Sequence, residues 1–254
     1  MILDLFKLDG KVALVTGAGQ GLGQGMAMAL AEAGADIAAL DRVGCERTCE
    51  AVRGLGRRYH ESVVDLRAAS VDDLNAVVAR IVKEFGHLDI LVNNAGTIRR
   101  TPAIDFSETD WDDVLQINLK AAFFLSQAAA RVMASQGGGK IINIASMLSF
   151  QGGINVPSYT AAKSGLAGIT RALANEWAKF NINVNAIAPG YMATDNTAAL
   201  RADPERSKSI LERIPAGRWG TPDDLKGAVV YLASSASDYL HGAILPVDGG
   251  WLTR

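Results

Sequence analysis

The sequence predicts an α/β chain with a single-domain Rossmann fold, a doubly wound seven-stranded parallel sheet with helices on both faces. Seven short β-branched runs alternate with longer segments of helical periodicity. The runs are apolar almost throughout, as in strands that are buried on both faces. The predicted strands are 12–16, 36–40, 62–64, 90–93, 140–145, 183–187 and 243–247. No linker or low-complexity tract interrupts the pattern, so we expect residues 1–254 to form one domain.

Helical periodicity fills the intervals between these strands. The predicted helices are 22–33, 42–54, 71–85, 108–134, 160–179 and 222–234. Ser70 and Ser107 are each followed three residues later by an aspartate, which is the pattern of a capping box. Pro222 occupies a first helical turn, where its missing N–H has no cost. Segment 191–217 is helical in pattern without strands of its own, and we expect it to form a lobe that covers the substrate.

Composition excludes several classes of protein. The chain is 49% hydrophobic and 20% charged, with interspersed charges and a net charge of −2, so no basic patch for nucleic acid is predicted. The N-terminus lacks the apolar core of a signal peptide, and the apolar runs are too short to span a membrane. We therefore expect a cytoplasmic location. Cys45 and Cys49 lack the redox C-x-x-C spacing and the three histidines are far apart, so no metal site is predicted.

A glycine-rich turn follows the first predicted strand and precedes the first helix. Glycines at such a turn let a pyrophosphate approach the backbone, and the free N–H groups of the helix N-terminus then meet its charge. The spacing departs from G-x-G-x-x-G, because Leu22 stands where the third glycine would fall. The predicted cofactor contacts in this turn are Gly17, Gly19, Gln20, Gly21, Leu22 and Gly23.

Asp41, after the second strand, predicts which dinucleotide the chain prefers. A carboxylate there accepts hydrogen bonds from an adenosine ribose and repels a 2′-phosphate, which favours NAD over NADP. Arg42 weakens this inference, because arginine accommodates that phosphate, and Asp41 could also be a plain helix cap. Asp65 and Leu66 follow the third strand, where they either reach the adenine edge or form an ordinary turn.

Polar residues follow the fourth and fifth strands, at the sheet edge where open α/β folds bind ligands. They are the two amides of an Asn-Asn-Ala-Gly segment, and Ser146. The predicted cofactor contacts in that segment are Asn93, Ala95 and Gly96. Tyr159 and Lys163 are four residues apart, which places both on one face of a helix. A tyrosine has a pKa of about 10, and a nearby ammonium lowers it by favouring the phenolate. This set predicts a tyrosine base that exchanges a proton with an alcohol while Ser146 holds the oxygen.

The ordered set of these motifs resembles the short-chain dehydrogenase/reductase family over nearly the whole chain. The resemblance implies hydride exchange with a nicotinamide cofactor and adds Asn118 to Ser146, Tyr159 and Lys163 as a catalytic residue. It also implies a homotetramer, because family members commonly form one. The further cofactor contacts implied are Tyr159, Lys163, Pro189, Gly190, Met192 and Thr194.

Four further segments are similar to the sugar-acid dehydrogenases of that family, namely 98–100, 145–153, 189–194 and 214–220. This likeness implies a reversible NAD-linked conversion of a six-carbon sugar acid. The candidate substrate residues are Arg99, Ser146, Gln151, Tyr159 and Tyr191. Arg99 or Arg100 could bind the carboxylate, or both could be solvated loop charges. Trp219 is a candidate to line the pocket, whereas Trp251 could pack in an oligomer interface.

Three alternative functions remain open. Gluconate 5-dehydrogenase acts on a similar polar substrate. A 3-oxoacyl carrier-protein reductase would suit NADPH and a basic docking patch, against which Asp41, Gln20 and the absence of a basic run argue. A non-catalytic nucleotide-binding module would have no need of all four catalytic residues.

Overall fold

A computed structural model describes residues 1–254 and contains one parallel sheet of seven strands in the order β3-β2-β1-β4-β5-β6-β7. This confirms the predicted Rossmann fold. The strands are β1 Val12–Thr16, β2 Asp36–Asp41, β3 Tyr59–Val63, β4 Ile90–Asn93, β5 Gly139–Ile144, β6 Ile182–Pro189 and β7 Ile244–Val247. The order reverses beside β1, which pairs with both β2 and β4, and this reversal opens a crevice at the carboxyl ends of the strands.

Nine α-helices accompany the sheet. They are α1 Gly21–Glu32, α2 Glu46–Gly54, α3 Val71–Phe85, α4 Glu108–Leu115, α5 Ala121–Gln136, α6 Pro157–Trp177, α7 Ala198–Ala202, α8 Pro204–Arg213 and α9 Lys226–Ala233. Helix α6 begins at Pro157, earlier than predicted, and a short 3₁₀ turn over Pro222–Leu225 precedes α9. Strand β3 begins at Tyr59, which pairs with Ile37. The predicted strand began only at residue 62, because His60 and Glu61 are polar and interrupt the apolar pattern.

The predicted helix 108–134 is interrupted by a π-helical turn over Gln116–Lys120. Asn118 lies in this turn and is buried. Ser107 caps α4 by accepting a hydrogen bond from the backbone of Asp110. The reciprocal half of the predicted capping box is missing, because the Asp110 carboxylate accepts instead from Arg99.

Side chains that point alternately to the two faces of the sheet divide the core into two layers. Ala13 and Val15 of β1 pack with α1 and α9, whereas Val12 and Leu14 pack on the opposite face with α3 and α5. A smaller cluster of Met147, Ile210, Ile214 and Trp251 anchors α8 beside the crevice. No helix has both the length and the apolar character that a membrane span requires.

Candidate active site

A cavity of about 1070 Å³ lies at the carboxyl edge of the sheet and is lined by the glycine-rich turn and by segment 191–213. It brings together most of the residues predicted from the sequence. The predicted residues that line it are Gly17, Gln20, Gly21, Leu22, Gly23, Asp41, Asp65, Leu66, Ala95, Gly96, Arg99, Ser146, Gln151, Tyr159, Lys163, Pro189, Gly190, Tyr191, Met192 and Thr194.

Three predicted residues, and the candidate Trp219, lie outside this lining. Gly19 is set back from it, and its N–H donates to Asp41 Oδ2 at 2.9 Å. The Asn93 side chain is directed into the core, where it donates to Ser126 Oγ and Asn143 Oδ1, both at 2.9 Å. The predicted role of Asn93 therefore cannot rest on its side chain. Asn118 lies behind Gly96.

The glycine-rich turn has the geometry of a phosphate cradle. Gly17 and Gly21 adopt φ values of +66° and +57°, which side chains other than glycine rarely tolerate. A Cβ on Gly23 would collide with the carbonyl oxygen of Gly17 and come within 2.5 Å of Asn94 Nδ2. The backbone is therefore bare where a dinucleotide pyrophosphate would meet the N-terminus of α1, so these residues fit that cofactor.

Asn94 was not singled out from the sequence, although it fixes this turn. Its Nδ2 donates to the carbonyl of Thr16 at 2.9 Å and to that of Gly17 at 3.2 Å. In return, Thr16 Oγ1 accepts from the backbone N–H groups of Asn94 and Ala95. The adjacent loops after β1 and β4 are thereby joined by four hydrogen bonds at the point where the sheet order reverses.

Asp41 lies at the far end of the cradle with its carboxylate held in place. Oδ2 accepts from the N–H of Gly19, and Oδ1 accepts from the N–H of Arg42 at 2.7 Å. The side chain of Arg42 is exposed and also lines the cavity. The Asp41 carboxylate and the Arg42 guanidinium are therefore neighbours at the expected position of the adenosine ribose, where NADP has a 2′-phosphate and NAD a hydroxyl.

Tyr159, Lys163 and Ser146 line the same cavity. Desolvation raises the pKa of Tyr159, while hydrogen bonding to Ser146 and the charge of Arg100 lower it. The Lys163 ammonium lies 5.5 Å from the centroid of the Tyr159 ring. Burial lowers the pKa of Lys163 to about 8, and its Nζ donates to the carbonyl of Ile144 at 2.6 Å.

Asn118 has a buried oxygen with no partner. Its Nδ2 donates to the carbonyls of Val114 and Thr97 at 2.8 and 2.9 Å, which fixes the amide orientation. Its Oδ1 is buried and accepts no hydrogen bond from the protein. Because an unpaired buried acceptor is costly, this oxygen is a suitable place for an ordered water.

The two neighbouring arginines have different surroundings. Arg99 donates to Asp110 Oδ1 at 3.0 Å, and its Nη2 lies 3.3 Å from Asp113 Oδ2. Arg100 has no carboxylate partner and donates only to the carbonyl of Asn196 at 3.1 Å. The choice of Arg99 as carboxylate ligand is therefore not supported by its contacts, because two aspartates already neutralise it.

Aromatic rings form the wall beside segment 191–213. Tyr191 makes edge-on contacts with Trp219 and Trp251, at centroid distances of 5.4 and 4.8 Å. Trp251 is only 5% exposed and lines the cavity. Its side chain is therefore already covered by the chain itself and is not left exposed for an oligomer interface. Gln151 accepts a hydrogen bond from the Trp251 indole at 3.3 Å.

Comparison with known proteins places this site in a family. A family model described as "Enoyl-(Acyl carrier protein) reductase" matches residues 17–252. The chain is 64% identical over 255 residues to 2-dehydro-3-deoxy-D-gluconate 5-dehydrogenase of Escherichia coli (strain K12), with 100% of each chain covered. The chain belongs to the short-chain dehydrogenase/reductase family. As a short-chain dehydrogenase, it is an oxidoreductase that acts on a CH–OH group with a nicotinamide cofactor.

Solved structures of short-chain dehydrogenases share its fold over the full length. One from Agrobacterium tumefaciens, with bound NADP, is 54% identical with a TM-score of 0.92, and the match covers 99% of this chain and 100% of that one. A gluconate 5-dehydrogenase from Burkholderia cenocepacia, in complex with NADP and tartrate, is 39% identical with a TM-score of 0.95, and both chains are covered completely.

Proposed function

We propose that this short-chain dehydrogenase reversibly interconverts the C5 hydroxyl and ketone of 2-dehydro-3-deoxy-D-gluconate with NAD. The observation that carries the proposal is a carboxylate-free arginine, Arg100, that lines the same cavity as Ser146, Tyr159 and Lys163. A guanidinium binds a carboxylate through paired charge-assisted hydrogen bonds, which suits a sugar acid. The 64% identity to a curated enzyme with this name supports the same substrate.

The proposed catalytic residues are Asn118, Ser146, Tyr159 and Lys163. Ser146 Oγ accepts from the N–H of Leu148 at 3.2 Å. We propose that its own hydrogen, directed toward Tyr159, bonds the substrate oxygen once the alcohol lies between them. Tyr159 Oη takes the hydroxyl proton during oxidation and returns it during reduction. The nicotinamide, when bound, accepts or supplies the hydride.

Lys163 and Asn118 would supply the proton path behind Tyr159. The Lys163 ammonium has hydrogens beyond the one that it donates to Ile144, and these would orient a ribose hydroxyl of the cofactor. Asn118 Oδ1 would hold a water that passes the proton onwards. The remaining proposed cofactor contacts are the cavity residues of the glycine turn, Asp41, Asp65, Leu66, Ala95, Gly96, Pro189, Gly190, Met192 and Thr194.

Asp41 is proposed to select NAD. Its carboxylate would accept from the adenosine ribose and repel a 2′-phosphate. We expect Asp41→Ser to raise the ratio of kcat/KM for NADP to that for NAD by about 10- to 1,000-fold, since like charges in contact cost several kcal/mol. Arg42 then remains to pair with the phosphate. Steady-state kinetics with both cofactors test this, and a wild-type enzyme that prefers NADP would contradict the proposal.

Arg100 is proposed to bind the substrate carboxylate. We expect Arg100→Gln to raise the KM for the sugar acid by roughly 10- to 100-fold, the size of a lost charged hydrogen bond, and to leave the KM for NAD unchanged. Arg99→Gln is the matched control, because its guanidinium is already paired with two aspartates. A larger KM effect in the control than in Arg100→Gln would reverse the assignment.

The same variant predicts a change in pH dependence. Arg100 lowers the pKa of Tyr159, so its removal raises that pKa. Alcohol oxidation needs the phenolate, and the alkaline rise of kcat/KM should therefore move to higher pH in Arg100→Gln. Arg100→Lys retains the charge and should leave the rise nearly where it is in the wild type. Profiles of kcat/KM against pH for the three proteins measure the shift.

We further propose that residues 1–254 act as one domain in which segment 191–217 covers the substrate. Leu200, Ile210 and Arg213 support this, because they line the cavity from that segment. Tyr191, Gln151, Ser146 and Tyr159 are the other proposed substrate contacts. A homotetramer is proposed from the family resemblance, and sedimentation equilibrium tests it. A cytoplasmic location is proposed from the composition of the sequence.

The direct test is NADH absorbance with purified protein. NAD or NADP is supplied with 2-dehydro-3-deoxy-D-gluconate, gluconate or a 3-hydroxyacyl thioester. Fast NADH formation from the ketodeoxy acid supports the proposal. Gluconate is the second candidate, because the Burkholderia cenocepacia gluconate 5-dehydrogenase shares the whole fold. Activity only on the thioester would overturn both sugar-acid assignments.

A further inference from the structure

Gln151 has a side-chain orientation that its neighbours determine. Its Oε1 accepts from Trp251 Nε1 and from Arg213 Nη2, both at 3.3 Å. An indole and a guanidinium have hydrogen-bond donors and no acceptors, so only the carbonyl end of the amide can face both. The opposite assignment would set N–H groups against N–H groups and is excluded on chemical grounds.

Arg213 and Trp251 hold each other in position. The Arg213 guanidinium carbon lies 4.0 Å from the centroid of the Trp251 ring, a cation–π contact. Trp251 is buried, and its other side meets the ring of Tyr191. Arg213 has no carboxylate partner that would compete for its donors. The carbonyl of Gln151 is therefore held by two donors from distant elements, the exposed Arg213 at the end of α8 and the buried Trp251 of the C-terminal turn.

The other end of the Gln151 amide has no partner in the protein. Its Nε2 makes none of the side-chain hydrogen bonds and is not sealed from solvent. Gln151 lines the cavity and follows Ser146 by five residues in the same loop. Its two N–H groups are thus available to a ligand in the cavity that Ser146 also lines. A substrate that uses them must offer an acceptor oxygen there.

We propose that Gln151 is a specificity-determining residue that donates its amide N–H groups to a substrate oxygen, and that Arg213 and Trp251 are positioning residues that fix it. The identity of the substrate rests on the function proposed above. The role of Gln151 does not, since any alcohol that fills this end of the cavity meets the same two donors.

Gln151→Glu tests the donors with little change of shape. The introduced carboxylate still accepts from Arg213 and Trp251, so thermal stability should be retained, but it has no N–H groups and repels an acceptor oxygen. We expect the KM for the sugar acid to rise by about 10- to 100-fold while kcat stays within about threefold and the KM for NAD is unchanged. The dissociation constant from quenching of tryptophan fluorescence should rise in parallel.

Trp251→Phe tests the support with a matched control. The substitution keeps an aromatic ring for Arg213 and Tyr191 but removes the indole N–H, so the amide is held by one donor. We expect a KM increase of roughly 2- to 10-fold, the value of one neutral hydrogen bond. Trp219→Phe removes an indole from the same aromatic cluster without touching Gln151, and its KM should stay within about twofold of wild type.

The measurements use whichever alcohol the wild-type enzyme oxidises fastest. If that alcohol is not a sugar acid, the proposed function fails while the Gln151 test proceeds unchanged. A KM for Gln151→Glu within about twofold of wild type overturns the inference, as does a loss confined to kcat. An equal KM increase in Trp251→Phe and Trp219→Phe would show that packing, not the hydrogen bond, is responsible.

Discussion

Tyr159→Phe should reduce kcat for alcohol oxidation by about 10²- to 10⁴-fold, the usual contribution of a positioned acid or base. The substitution keeps the ring, its packing and the neighbouring Lys163. It removes only the hydroxyl group, which is the group proposed to exchange a proton with the substrate. Steady-state kinetics measure the loss, and NADH fluorescence should show cofactor binding within about twofold of wild type.

Tyr239→Phe is the control for this experiment. Tyr239 is fully exposed and lies outside the cavity, so its hydroxyl has no role in the proposed chemistry. Its variant should be indistinguishable from wild type. If Tyr159→Phe retained more than about a tenth of wild-type turnover, the assignment of Tyr159 as the proton-transferring group would be wrong.

Gly23→Ala should remove cofactor binding and also destabilise the fold. A methyl group at this position would collide with the carbonyl of Gly17 and come within 2.5 Å of Asn94 Nδ2. Both groups belong to the hydrogen-bonded junction of the two loops, so neither can move alone. Forcing volume into a packed site costs about 1–3 kcal/mol, and a Tm decrease of roughly 3–10 °C follows for a domain of this size.

Gly227→Ala separates this collision from a general effect of replacing glycine. Gly227 lies on the exposed side of α9 with nothing within 4 Å of an added Cβ. Alanine there should stabilise the helix by up to about 1 kcal/mol, because glycine is the poorer helix former. Differential scanning calorimetry and NADH titration of both variants give the comparison. A Gly23→Ala protein that still bound NADH normally would show that the loop junction can rearrange.

Sequence patterns predicted the sheet because its central strands are apolar on both faces. They failed where a strand contains polar residues. The start of β3 lies at an edge, where His60 and Glu61 are tolerated, so an apolar run could not reveal it. The π turn around Asn118 lies inside a segment whose periodicity is helical on both sides. Nothing in the order of its residues distinguishes hydrogen bonds between residues five apart from the α-helical bonds between residues four apart.

Contacts between distant parts of the chain decided which arginine is available to a carboxylate and how Gln151 is oriented. Arg99 and Arg100 are equivalent as neighbours in sequence, and only the folded position of Asp110 and Asp113 separates them. The hydrogen bond from Trp251 to Gln151 joins residues 100 positions apart. Local patterns contain no information about such pairs, so the positioning of Gln151 could not be anticipated from its own segment.

The π turn at Gln116–Lys120 also has a consequence for how this chain can vary over evolutionary time. An α-helix rotates by about 100° per residue, and the turn holds one residue more than the helical repeat requires. Deleting a residue here would restore a regular helix and rotate α4 by that angle against α5. Asp110 and Asp113 would then leave Arg99. Apart from Asn118, we therefore expect substitutions to be tolerated in this turn more readily than any change in its length.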